Sequence, residues 1–164
     1  MRGEDDVREL AARLHVSDST ARRYLRGSVQ LPDGRHVFGS RPGMAGGALE
    51  EHRLRDRLAA QLGGITEAVL PFGRADVMTG SLVFEVESRG TWRTGVRQAL
   101  AYSAQCGLPP ALALFGAIRR DDLLKLYMKL RDGRPPVALW WWTGYGWDHI
   151  SSRRACRSMK GTPR

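Results

Sequence analysis

The chain has 164 residues, 26 Lys and Arg against 17 Asp and Glu, two cysteines and 42% hydrophobic side chains. That length suits one ordinary domain, or a compact domain with a small appendage. No run approaches the ~18 apolar residues of a membrane span, the N-terminal Met1-Arg-Gly-Glu-Asp-Asp lacks the apolar stretch of a secretory signal, and Cys106 and Cys156 are too few for a disulfide scaffold or a four-cysteine zinc site. A cytoplasmic globular protein is the expectation.

The net charge of +9 points to a polyanionic partner, and it is unevenly spread. Residues 1–46 hold 8 Arg and 6 acids, and residues 47–150 hold 13 basic and 11 acidic residues. The last fourteen carry Arg153, Arg154, Arg157, Lys160 and Arg164 with no acid. Over half the excess thus sits in a short tail, which reads as a non-specific tether for DNA. Of the 26 basic residues 23 are Arg, the better side chain for bidentate phosphate contacts, although genomic base composition produces the same excess.

In chain order, residues 5–26 read as two short helices with a sharp turn. Asp5 or Asp6 is the expected cap of the first, and Val7, Leu10, Ala11 and Leu14 form its apolar stripe. His15-Val16-Ser17 makes the turn. Ser17 or Asp18 caps the second helix, with Ala21, Tyr24 and Leu25 inward. Ser17, Ser19, Thr20, Arg22, Arg23 and Arg26 remain as candidate DNA-binding residues. The pair resembles the helix-turn-helix of bacterial regulators and recombinases, whose second helix enters the major groove. The plainer reading is a helical hairpin with solvated arginines.

Two such helices cannot bury a core alone. Residues 28–38 read as a hairpin around Pro32-Asp33-Gly34, a candidate wing or lid. The Gly- and Pro-rich stretch 39–47 reads as a linker, dividing an N-terminal segment 1–38 from a domain at 48–150, with the basic tail 151–164 beyond. A helix over 48–62 has the stripe Leu54, Leu58, Leu62 and ends at Gly63-Gly64. Strands follow over 65–72, 74–79 and 81–87, then a helix over 92–105, a strand over 111–118, a helix over 121–130, a strand over 137–143 and a hairpin at Gly144-Tyr145-Gly146. This order gives an α/β fold with a mixed central sheet flanked by helices.

Within that order, Asp76 lies on the second core strand and Glu85 and Glu87 on the third. Residues two apart in a strand share a face, so Glu85 and Glu87 point the same way among the apolar Val83, Phe84 and Val86. Like charges on one face of a central strand are costly unless a cation compensates. A tight turn at Thr79-Gly80 brings Asp76 beside Glu85, so three carboxylates can converge on one Mg2+ or Mn2+, and all-oxygen ligands favour a hard cation. On an edge strand the same residues would only aid solubility.

Asp76, Glu85-Val86-Glu87 and the helix stretch Gln98-Ala99-Leu100-Ala101-Tyr102 resemble the PD-(D/E)xK nuclease superfamily, particularly its RecB-like and VRR-type branches with their QxxxY signature. The resemblance covers roughly residues 48–118. It implies an αβββαβ restriction-endonuclease-like core. It also implies catalytic roles for Asp76, Glu85, Glu87, Gln98 and Tyr102, and a metal held by Asp76, Glu85 and Glu51, with Glu50 the nearby alternative. The family's catalytic Lys is Glu87 here. Glu supplies no positive charge but can serve as general base to a metal-bound water, and Arg74, Arg89 and Arg97 are candidates for a migrated cation.

Other features carry less. Trp140-Trp141-Trp142, Tyr145 and Trp147 read either as base-stacking side chains or as cover for both faces of the sheet. The four histidines have no ligand spacing, no serine has an evident triad, and no phosphate-binding glycine loop is present. The functional expectation is Mg2+- or Mn2+-dependent DNA hydrolysis by an endonuclease anchored through its helix-turn-helix, with DNA as partner, no membrane, and room for a homodimer. Its rivals are an inactive DNA-binding regulator that keeps the nuclease fold, and a protein-interaction module using the Trp cluster.

Overall fold

A computed structural model describes residues 2–15, 17–39 and 50–150, without the side chains of Arg2, Leu10, Leu14, Arg23 and Tyr24. The linker residues 40–47, Ala48 and Leu49 of the first core helix, Val16 and the basic tail 151–164 lie outside the described residues, as does Cys156.

The N-terminal helices are α1 (Arg2–Leu14) and α2 (Asp18–Arg26). The expected cap at Asp5 or Asp6 is wrong. α1 starts at Arg2 and places Glu4 and Asp5 in its first turn, where carboxylates suit the helix dipole without capping it. His15 ends α1 with a left-handed φ of 52°. Of the two candidate caps for α2 the structure uses Ser17, whose Oγ accepts the Thr20 amide at 3.3 Å. Val7, Ala11 and Ala21 are buried together with Leu25 packed on them, a small interface that needs help from elsewhere to be stable.

The hairpin forms as expected, from β1 (Ser28–Gln30) and β2 (His36–Phe38). Its Val29, Leu31 and Val37 are buried in one cluster with Ile65, Ala68, Leu70, Met78 and Leu108. The hairpin therefore closes over part of the main sheet.

After α3 (Glu50–Leu62), that sheet is built from β3 (Ile65–Leu70), β4 (Gly73–Met78), β5 (Val83–Ser88), β6 (Pro110–Phe115), β7 (Ala138–Trp142) and β8 (Trp147–His149), in that spatial order. β3, β4 and β5 are antiparallel, β5, β6 and β7 parallel, and β8 returns antiparallel. Parallel neighbours need long crossovers, and α4 (Trp92–Cys106) and α5 (Arg120–Arg131) provide them. The mixed α/β architecture is thus the one expected, and β5 sits inside the sheet rather than at its edge.

Strand alternation sorts the two layers. Ala111 and Ala113 of β6 face α3, where Leu54, Leu58 and Ala59 meet Val77, Phe84 and Val86. Leu112 and Leu114 face the other layer, with Leu123, Tyr127 and Leu130 of α5 and Trp92, Val96 and Leu100 of α4. The tryptophans divide likewise: Trp140 and Trp142 pack on the α3 side and Trp141 on the α4–α5 side.

The edge strand β8 is fastened to α3 by side chains remote in sequence. The Gln61 Nε2 donates to the Trp147 carbonyl at 2.8 Å, and its Oε1 accepts the Trp147 amide at 3.0 Å. The Trp147 indole N–H donates to the Leu54 carbonyl at 3.0 Å. Gln61→Ala removes both amide contacts and is expected to cost about 1–3 kcal/mol in urea unfolding; a change within the experimental error would mean that the clamp is not a stabilising contact.

Candidate functional site

The ladder between β4 and β5 runs only through Met78–Val83 and Val77–Phe84. The next level sets Asp76 opposite Glu85, and there side chains take over from the backbone. Asp76 Oδ2 accepts the Val86 amide at 2.8 Å, and Glu85 Oε1 accepts the Asp76 amide at 3.4 Å. The structure thus brings together the two carboxylates that the sequence pattern pairs.

β3 is irregular at the same level. Ile65 and Ala68 lie three apart on β3, as do Ala75 and Met78 on β4, yet all four share one core cluster. Strict alternation would put such residues on opposite faces. The break falls at Glu67, which lies across from Asp76 in the register and adopts φ of 51°. A left-handed non-glycine residue in a strand is strained, by roughly 1–3 kcal/mol, and persists only where surrounding contacts impose it. Here the contact is the Arg55 guanidinium on α3, which is bonded to the Glu67 carboxylate and pairs with Asp56 at 3.4 Å. Arg55 is only 2% exposed.

Sequence reasoning missed both Arg55 and Glu67. One signal was present: Arg55 follows Glu51 by four residues, so the two share a helix face.

Burial dominates the electrostatics. It pushes the Asp76 carboxyl up to about 6, against the Val86 amide that favours the ionised form; Glu51 pushes the same way, and Arg55 opposes it. Burial raises Glu85 further, to about 9, with the Asp76 charge next in importance and Glu87 adding to it. Glu51, on the first turn of α3, is thus close enough for its charge to act on Asp76. The two buried carboxyls cannot both ionise cheaply as they stand.

The α4 side is set by two glycines. A Cβ on Gly73, whose φ is 135°, would meet the Tyr102 hydroxyl at 2.9 Å. Burial raises the pKa of that hydroxyl, with the Glu85 charge the next cause. A Cβ on Gly95 would meet the Glu87 Cγ at 2.5 Å and Leu112 Cδ1 at 2.8 Å. Glu87 accordingly lies against α4, where the Thr91 hydroxyl donates to its carboxylate. Gln98, one turn before Tyr102, is half-buried, and its side chain makes no hydrogen bond among the described residues.

The remaining predicted residues fall as follows. Arg74 is 68% exposed in its side chain and reaches Glu67 at 4.0 Å. Arg89 pairs with Asp122 at 3.6 Å, and Arg97 bonds the Thr94 hydroxyl at 3.4 Å. The cation whose charge bears on Asp76 is instead Arg55. The Ser17 hydroxyl, just before α2, bonds those of Ser19 at 2.9 Å and Thr20 at 3.0 Å, Arg22 pairs with Glu4 at 3.8 Å, and Ser17, Ser19, Arg22 and Arg26 are exposed. Arg23 belongs to α2, but its side chain lies outside the described residues.

Among the described residues no three His, Cys, Asp or Glu side chains are arranged to hold a metal ion. The expected convergence of three carboxylates is therefore a contacting pair, with Glu51, Glu67 and Glu87 around it. Such a pair still suits Mg2+, which usually takes one or two carboxylates and completes its shell with water and substrate phosphate.

The chain matches no family model, no curated protein and no solved structure. Function has to be argued from this geometry.

Removing the buried cation tests that geometry. Arg55→Met removes the buried guanidinium that Glu67 and Asp56 share and is expected to lower stability by about 1.5–3 kcal/mol. Arg74→Met, on the surface, should change it by no more than about 0.5 kcal/mol. Equal small effects in chemical denaturation would mean that Arg55 does not organise the site.

Proposed function

We propose that this protein is a metal-dependent deoxyribonuclease, an endonuclease with an αβββαβ restriction-endonuclease-like core and an N-terminal helix-turn-helix that anchors it on DNA. The observation that carries the reading is the Asp76–Glu85 pair, two carboxyls in contact where central strands part, both raised by burial. A bound cation is the partner that makes such a pair favourable in its ionised form.

Asp76 and Glu85 would hold a Mg2+ or Mn2+ ion, with the Glu51 charge acting on them through space, and the ion would supply positive charge to the scissile phosphate and a water of lowered pKa. The chain's own groups do the rest. Glu87 accepts a proton from the attacking water as its oxygen bonds to phosphorus, and the departing ester oxygen takes a proton from solvent. The Thr91 hydroxyl fixes the orientation of Glu87. Tyr102, neutral like any phenol near pH 7 and pushed further that way by burial, donates to a phosphate oxygen, and Gln98 one turn earlier contacts the same strand. Arg55 offsets the carboxylate charge from within and does not touch substrate.

Support for the anchor is the short turn between two helices that bury Val7, Ala11, Ala21 and Leu25 between them. Ser19, Arg22 and Arg26 are the exposed side chains of α2 that a major groove would meet, together with Arg23 of the same helix.

One observation favours a second reading, a DNA-binding regulator without turnover. Glu87 stands where the family it resembles has Lys, and its carboxylate is already engaged by Thr91. Incubation with supercoiled plasmid separates the two. Nicking or linearisation is expected with Mg2+ or Mn2+, none with EDTA, and none in Asp76→Ala. Glu87→Gln should slow cleavage about 10²- to 10⁴-fold. Plasmid that shifts on a gel yet stays intact under every metal would replace the enzyme by the regulator.

A further inference from the structure

The hairpin between β3 and β4 turns on two residues, Pro71 and Phe72, because Leu70 pairs directly with Gly73. Phe72 is 85% exposed. Its backbone is held on three sides: Pro71 has a fixed φ, Gly73 takes a φ of 135°, and the Phe72 amide donates to Gln105 Oε1 on α4 at 2.9 Å. The fold thus spends a stiff turn on presenting an aromatic ring to solvent, where it contributes nothing to the core. Beside it stand the exposed Arg74 and, directly across the ladder from Arg74, the 55% exposed Val69.

This tip belongs to the carboxylate site. The Tyr102 ring lies against Gly73, and its hydroxyl senses the charges of Glu85 and Asp76. From Phe72 to Asp76 is four residues of extended chain, about 13 Å at ~3.3 Å per residue. That is a few nucleotides of stacked strand at ~3.4 Å each.

We infer that Phe72, flanked by Arg74, is a stacking platform for a base of an unpaired DNA strand whose backbone leads to the Asp76–Glu85 pair. In a duplex each base has both faces covered by its neighbours. Within a duplex a side-chain ring has to unstack a base step first, whereas at an overhang, a frayed end or a junction an unpaired base offers its face without that cost. Stacking of this kind tolerates any base, because every base has a π face, and Arg74 adds a cation beside the ring for phosphate or base. The inference rests on the DNA-acting reading of the site and narrows its substrate to DNA that is single-stranded next to the cut.

The test is fluorescence anisotropy in EDTA, so that nothing is cut, with labelled oligo-dT of ~20 nucleotides, longer than a typical single-strand site, and a blunt duplex of equal length. Phe72→Ala is expected to weaken oligo-dT binding about ten- to a hundredfold and to leave duplex binding within about twofold. Phe72→Trp should retain single-strand affinity, and Phe72→Leu, apolar but without a π face, should lose it. All three should melt with the wild type, because the ring is exposed. Unchanged oligo-dT binding by Phe72→Ala, or an equal loss on both probes, overturns the platform and leaves the nuclease reading intact. Wild-type protein that binds neither probe overturns both.

Discussion

Where β4 parts from β5, the Asp76 carboxylate accepts the Val86 amide that the ladder would otherwise have satisfied. A buried amide must have a partner, so Asp76 is fixed by a need of the backbone as much as by any role in chemistry. Glu85 is fixed reciprocally through the Asp76 amide. The sheet is not weakened by this, because β5 continues its parallel pairing with β6 through six residues, Val83 to Ser88. The opening is therefore one-sided: the ladder stops after two pairs towards β4 and continues through six towards β6.

Everything nearby adjusts to the two carboxyls placed in that opening. Glu67 accepts an unfavourable backbone conformation and draws Arg55 out of water, which gives the acidic neighbourhood one internal positive charge. Gly95 lets Glu87 lie against α4, and Gly73 lets Tyr102 approach the start of β4. A larger residue at either position would push a site residue away from the pair. The acids outnumber the internal cation, an imbalance that the proposed divalent ion would offset.

Local pattern made much of this readable from the sequence. Alternation and turn residues located the strands, and the Leu54–Leu58–Leu62 stripe located α3, but the expected tight turn at Thr79-Gly80 is a four-residue loop, Thr79 to Leu82, and it is this longer loop that sets Asp76 level with Glu85. Because Glu85 and Glu87 are two apart, their common face followed at once. The unreadable parts depend on long-range contacts. Arg55 looks like a residue of the wet face of α3 until Glu67, twelve positions on, turns inward to meet it. Glu67 itself carries no sign of a left-handed conformation, since a glutamate in an apolar run reads as an ordinary strand residue. The Gln61–Trp147 clamp spans 86 positions, and no periodicity announces it. As one more apolar residue, Phe72 extends the sequence pattern of the first core strand, whereas the turn at Pro71 leaves it beyond that strand, in solvent.

Asp76 and Glu85 are proposed to form a site for a hard divalent cation. Isothermal titration calorimetry of the metal-free protein with Mn2+ and Mg2+ tests it without requiring any substrate. The account predicts saturable one-site binding that disappears in Asp76→Asn and in Glu85→Gln and persists in Arg74→Met. No binding by the wild type, or binding indifferent to both substitutions, would contradict it.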